Sequence, residues 1–124
     1  MKQKFLTCEH CGNTVALLRD KGVPIHCCGE EMRELIPGVT EASGEKHIPV
    51  YETVGNTVRV TVGSTEHPMT ADHYIEWICL ETKKGIQYSH LGPGNEPKAV
   101  FSMCEGDEVR MVYAFCDQHG LWAK

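Results

Sequence analysis

Val109-Arg110-Met111-Val112-Tyr113-Ala114-Phe115-Cys116 is the stretch on which the fold turns. Val109, Met111, Tyr113 and Phe115 alternate with Arg110, Val112 and Ala114, which is the two-residue period of a β-strand and not the 3.6-residue period of a helix. The same period recurs upstream, where Val58, Val60 and Val62 alternate with Arg59 and Thr61. In 74–80, Ile75 and Trp77 fall on one face and Tyr74, Ile78 and Leu80 on the other. Further strands are expected at 47–54, 85–90 and 98–104. Gly55-Asn56, Lys84-Gly85, Gly92-Pro93-Gly94 and Glu105-Gly106-Asp107 supply the turns between them. With about seven short strands and no helical period, residues 37–124 read as all-β, an immunoglobulin-like β-sandwich. A closed barrel is the structural alternative.

Residues 1–36 have a different character. They hold four of the seven cysteines and only short apolar pieces such as Val15-Ala16-Leu17-Leu18. A segment below about 40 residues rarely buries enough apolar surface to offset its ordering entropy, so a metal or disulfide staple is expected. It ends at Ile36-Pro37-Gly38, and Val39-Thr40-Glu41-Ala42-Ser43-Gly44-Glu45-Lys46 reads as a linker running into a loop. The organisation expected is therefore a small metal-binding domain at 1–36 followed by a sandwich domain at 37–124.

Composition narrows the function classes. Twelve Lys and Arg against seventeen Asp and Glu give a formal net charge of −5, which argues against a nucleic-acid partner. An anionic substrate would have to be attracted locally, against the field of the whole chain. No apolar run approaches the roughly 18–20 residues of a membrane span. Met1-Lys2-Gln3-Lys4-Phe5-Leu6-Thr7-Cys8 lacks the apolar stretch of a signal peptide. A cytoplasmic protein is expected, and in a reducing compartment seven cysteines read as metal ligands or catalytic groups before they read as disulfides. A secreted disulfide scaffold is the alternative.

Cys8-Glu9-His10-Cys11 and Cys27-Cys28 form a C-x2-C-x15-C-C pattern. Two thiolates two residues apart on a tight turn chelate one ion readily. Adjacent cysteines tend to diverge, so the backbone must turn at the second pair, and Gly29 permits that turn. Sulfur-only sites take zinc or iron, and spacing alone does not choose between a zinc staple and a one-electron iron centre. His10 and His26 flank these cysteines as surface or neighbouring groups and not as ligands.

A second pattern combines Cys116-x-x-His119 with His47, His67 and His73. His47 is expected to begin a strand. His67 and His73 bracket a loop stiffened by Pro68, and loops at one end of a sandwich can converge. Four histidines with one cysteine are not the sulfur-rich set of a structural zinc site. If all five converge, one thiolate donates electron density to an iron held by imidazoles, with a coordination position left for reaction. Lys46 would add positive charge beside it.

The chain closely resembles the desulfoferrodoxins, the two-iron class of superoxide reductases, over essentially its full length. The likeness rests on the four cysteines above, on Glu45-Lys46-His47-Ile48-Pro49-Val50, on Glu66-His67-Pro68-Met69 with His73, and on Cys116-x-x-His119-Gly120. The resemblance implies a desulforedoxin-like (rubredoxin-like) FeS4 centre at Cys8, Cys11, Cys27 and Cys28. It implies a catalytic iron held by His47, His67, His73, His119 and Cys116, two iron ions per chain in all. Lys46 would attract superoxide and help to orient a proton-donating water, and Glu45 would be a mobile carboxylate able to close onto the oxidised iron. Superoxide would be reduced to hydrogen peroxide without oxygen release, with re-reduction by a donor such as rubredoxin, in a homodimer. A rubredoxin-like electron carrier without catalysis and a zinc-stabilised binding module are the competing functions. Cys79 and Cys104 belong to neither site and read as core or near-surface thiols, His90 as a strand-end surface residue, and Trp122 as packing against the site.

Overall fold

The computed structural model describes residues 2–38 and 44–124, apart from the side chain of Glu45. Two compact units emerge, Met1–Ile36 and Pro37–Lys124. The linker reading for 39–43 lies outside the described residues.

The first unit is built from short strands: β1 (Lys4–Thr7), β2 (Thr14–Leu17), β3 (His26–Cys27), β4 (Glu30–Glu31) and β5 (Arg33–Glu34). β2, β1 and β5 form one sheet, and β3 and β4 form a hairpin. Phe5, Cys8 and Met32 are its buried residues, a core too small to hold such short strands without a further staple.

The second unit begins with a one-turn helix, α1 (Gly44–His47), closed by the Ile48 N–H donating to the Gly44 carbonyl at 2.9 Å. His47 therefore ends a helical turn; it does not begin a strand. Strand pairing starts at Pro49. Seven strands follow: β6 (Pro49–Val54), β7 (Thr57–Val62), β8 (Ile75–Thr82), β9 (Gly85–His90), β10 (Lys98–Ser102), β11 (Val109–Cys116) and β12 (Gly120–Ala123). They make two antiparallel sheets, β10-β7-β6 and β12-β11-β8-β9. The core between them joins Val58, Val60 and Val62 of β7 and Phe101 of β10 to Ile75, Ile78 and Leu80 of β8 and Val112, Ala114 and Cys116 of β11. The fold is an all-β sandwich and not a closed barrel.

Two register shifts correct the alternation read from sequence. Between β11 and β8, Phe115 pairs with Trp77 but Cys116 pairs with Ile75, so Glu76 is an extra residue on β8. Ile75 therefore turns into the core with Ile78 and Leu80, while Trp77 stacks on Phe115 with centroids 5.5 Å apart. Val109 pairs with Thr82 and Met111 with Glu81, which makes Arg110 extra on β11 and lets Val109 pack on the core beside Val112. The first shift bears on the chemistry, because it turns Ile75 inward opposite Cys116, which plain alternation along β11 already places in the core with Val112 and Ala114.

Candidate metal centres

In the first unit the four sulfurs of Cys8, Cys11, Cys27 and Cys28 all lie within 4.8 Å of one another. The knuckle at the first pair is closed by the Gly12 N–H on the Cys8 carbonyl (2.9 Å) and the Cys8 N–H on the Asn13 carbonyl (2.8 Å). At the second pair Cys28 has φ +53° and Gly29 has φ +77°. Two consecutive left-handed residues are what lets adjacent cysteines face one point, and only the glycine adopts that conformation without steric cost. Asn13 had no role in the sequence reading, yet it serves both pairs. Its backbone N–H points at the Cys11 sulfur (3.4 Å) and its Nδ2 at the Cys27 sulfur (3.6 Å).

Such close thiols cannot share protons evenly. The Cys8 thiol is pushed down to about 6, first by the backbone N–H of Cys11, whereas Cys28 is pushed up to about 12 by its sulfur neighbours Cys11 and Cys8. One thiolate forms readily and opposes the next, and a cation resolves that opposition. His10 is exposed and pairs with Glu30 at 3.0 Å, and His26 is exposed on β3.

In the second unit the candidate atoms of His47, His67, His73 and Cys116 also lie within 4.8 Å of one another. His119 joins them, with Nδ1 3.2 Å from the His47 Nε2 and 3.9 Å from the Cys116 sulfur. The four imidazoles form a ring in the order 47, 67, 73, 119. Neighbouring centroids are 4.7, 4.7, 5.1 and 4.9 Å apart, each pair edge-to-face, and His47 and His73 are 6.3 Å apart across the ring. His119 turns Nδ1 towards the cluster whereas His47 uses Nε2, because His119 sits only three residues from Cys116 on a tight turn.

A metal fits this donor set. The His67 Nδ1 is 2.7 Å from the Pro68 carbonyl, which places the proton on Nδ1 and leaves the Nε2 lone pair free. That Nε2 and the His73 Nε2 are both buried without a hydrogen-bond partner. An unpartnered buried polar atom costs about 1–3 kcal/mol, and a cation at the centre of the ring would satisfy both. His67 is pushed down to about 4, chiefly by burial, with charge on His47, His73 and His119 adding to it. It is therefore neutral near pH 7, the form that binds metals.

Cys116 is fully buried, and burial pushes its thiol up. The backbone N–H groups of Gln118 and His119 act in the opposite sense, as donors to the sulfur. Trp122 stacks on His47 with centroids 5.1 Å apart and donates from Nε1 to the His119 carbonyl at 3.2 Å, so it walls one side of the cluster. Lys46 is exposed and directly precedes His47, while the Glu45 side chain lies outside the described residues. All seven cysteines are free of disulfides; Cys79 is buried and Cys104 exposed, and neither joins a cluster among the described residues. His90 is a surface residue whose Nδ1 lies 3.0 Å from the Tyr88 hydroxyl.

The family model for desulfoferrodoxin matches residues 39–124. A desulfoferrodoxin from Nitratidesulfovibrio vulgaris is 42% identical over 116 residues, covering 93% of this chain and 90% of the relative. Among solved structures, the superoxide reductase from Treponema pallidum superposes with a TM-score of 0.85 at 37% identity, covering 100% of this chain and 99% of that one. The superoxide reductase (1Fe-SOR) from Giardia intestinalis matches at 34% identity with a TM-score of 0.56, over 64% of this chain and 95% of its own. The chain belongs to the desulfoferrodoxin family.

Proposed function

We propose that this chain is a superoxide reductase of the two-iron class. His47, His67, His73, His119 and Cys116 would hold the catalytic iron. Cys8, Cys11, Cys27 and Cys28 would hold a second iron in a desulforedoxin-like domain at 1–36, with 37–124 as the catalytic domain. The observation that carries this reading is the pair of buried, unpartnered Nε2 atoms on His67 and His73 inside a ring of four imidazoles beside a buried thiol. The likeness to solved superoxide reductases supports the same conclusion.

An iron held by the ring would supply the one-electron reduction that, with two protons, takes superoxide to hydrogen peroxide. The surrounding residues do the rest. Cys116 is held by the Gln118 and His119 amides and tunes the centre through sulfur donation. Trp122 keeps one flank dry. Lys46, exposed beside His47, draws the anion in and orients a water that delivers a proton. By the family resemblance Glu45 would be a carboxylate that serves the oxidised centre. A small electron donor such as rubredoxin restores the reduced state. We place the protein in the cytoplasm, where seven free cysteines stay reduced, and as a homodimer.

Metal analysis and superoxide assays test this. Two irons per chain and stoichiometric conversion of superoxide to peroxide, without oxygen release, are expected. One iron and no superoxide consumption would instead favour an electron carrier, and a colourless zinc protein would favour a binding module. Cys116→Ser should abolish the thiolate-to-iron charge-transfer band; its retention would remove Cys116 from the ligand set.

A further inference from the structure

Asp117 and Gln118 fill the gap between Cys116 and His119, and both reach across to the segment that carries His73. The Asp117 Oδ1 accepts the Tyr74 N–H at 2.9 Å, and the Asp117 N–H donates to the Tyr74 carbonyl at 3.1 Å. The Gln118 Nε2 donates to the Asp72 carbonyl at 2.9 Å. Asp72 and Tyr74 are the residues on either side of His73. The backbone of His73 itself is bridged to Thr70, N–H to carbonyl in both directions (3.2 and 3.0 Å), and the Thr70 hydroxyl lies 2.8 Å from the Asp72 carboxylate. The Asp72 carbonyl and both backbone groups of His73 and of Tyr74 are thereby committed.

We propose that Asp117 and Gln118 are positioning residues, which clamp the backbone on both sides of His73 to the Cys116–His119 turn so that two ligand-bearing segments move as one body. The proposal rests on the reading that His73, Cys116 and His119 hold iron. Neither clamp side chain offers an atom to the cluster; each side chain acts through the backbone it grips, and the Gln118 backbone N–H separately donates to the Cys116 sulfur. The physical need is clear. The two segments are 43 to 46 residues apart in the chain, and a metal site tolerates errors of only about 0.5 Å between donors. The His67 end of the same loop is already held by its Pro68 bond, and the Met69 carbonyl accepts the Gly94 N–H at 2.9 Å. The clamp completes the other end.

The test compares Asp117→Ala, Asp117→Asn and Gln118→Leu in the full iron-loaded chain, reading iron release to a chelator and the position of the thiolate-to-iron band. Loss of a group that orients a ligand typically costs 10- to 100-fold in metal affinity. Asp117→Ala and Gln118→Leu are therefore expected to release iron at least about tenfold faster with a shifted band. Asp117→Asn keeps an oxygen to accept the Tyr74 N–H and is expected to stay within about threefold of wild type. Wild-type release with an unmoved band in both disruptive variants overturns the clamp, as does an Asn variant no better than Ala. A wild-type chain that takes up no iron at this site refutes the functional reading and not the clamp. For that case, amide exchange at Tyr74 in the metal-free chain decides: faster exchange in Asp117→Ala than in Asp117→Asn supports the clamp, and equal exchange overturns it. Should Asp117→Ala fail to fold, Gln118→Leu leaves both Tyr74 bonds intact and carries the test alone.

Discussion

Replacing His67 with glutamine isolates an ionisation that folding has displaced. The ring is 2% exposed, gives its Nδ1 proton to the Pro68 carbonyl and meets the imidazoles of His47 and His73 edge-to-face. Burial is the main reason its pKa falls from 6.5 to about 4 in the fold. That displacement of about 2.5 pH units corresponds to about 3 kcal/mol, at about 1.4 kcal/mol per unit. Near neutral pH the imidazole is uncharged in both the folded and unfolded chain and contributes no pH dependence. As pH falls below 6.5 the unfolded chain takes up a proton that the fold refuses, so stability is lost. The loss reaches about 2 kcal/mol by about pH 5 and levels off near 3 kcal/mol below about pH 4. Urea unfolding of the metal-free chain measures this, because Trp77 and Trp122 both lie in the sandwich and report on it alone. Wild type should lose about 3 kcal/mol more than His67→Gln between neutral pH and about pH 4. Parallel pH profiles for the two proteins would refute the argument, because the displaced ionisation would then not belong to His67.

Tyr113→Phe removes a buried hydroxyl that donates to Glu81 at 2.7 Å; denaturant titration should show a loss of about 2 kcal/mol. Burial, followed by that bond, raises the phenol's pKa above 10.0, so the wild-type fold should also lose stability as pH rises past about 10, and the Phe variant should lose less. Gly29→Ala places a side chain at φ +77° beside an already left-handed Cys28; a cost of about 1 kcal/mol and faster metal release from the four-cysteine site are expected, with Gly29→Asn milder. Lys46→Ala should slow the second-order reaction with superoxide several-fold and flatten its dependence on ionic strength, measured by pulse radiolysis. An unchanged rate across salt would remove Lys46 from steering.

The strand class was legible because a two-residue apolar period has one structural meaning. Which face each residue takes was not, because the extra residues Glu76 and Arg110 change register without leaving a mark in composition. A β-bulge is decided by how neighbouring strands meet, and that information lies in two segments at once. The helical turn ending at His47 was hidden for a similar reason, since four residues are too few to display a period. The residues that converge in the two candidate clusters are ones the spacing and the family resemblance single out. Asn13, Asp117 and Gln118 are not among them. Asn13 lies just past the Cys8–Cys11 pair and Asp117 and Gln118 are the unspecified places of C-x-x-H, so their importance appears only once Cys27, Asp72 and Tyr74 are seen across from them.

The charge balance poses the sharpest question for the proposed function, since a chain of net charge −5 must receive an anion. Screening decides it. At physiological ionic strength the Debye length is about 8 Å, so acidic residues further than that from the cluster contribute little to the approaching ion. Within that radius His67 is held neutral by burial and neither attracts nor repels. What remains is the charge of a metal the ring would hold and the exposed Lys46 beside His47, opposed by Asp117 and Glu76, whose carboxylates act on the buried Cys116. A site built from histidines keeps more of its cation's charge than one built from four thiolates. The two clusters are therefore suited to different work: the sulfur set would neutralise a bound metal and suit electron storage or stapling, and the imidazole set would leave a positive centre able to draw an anion through an acidic surface.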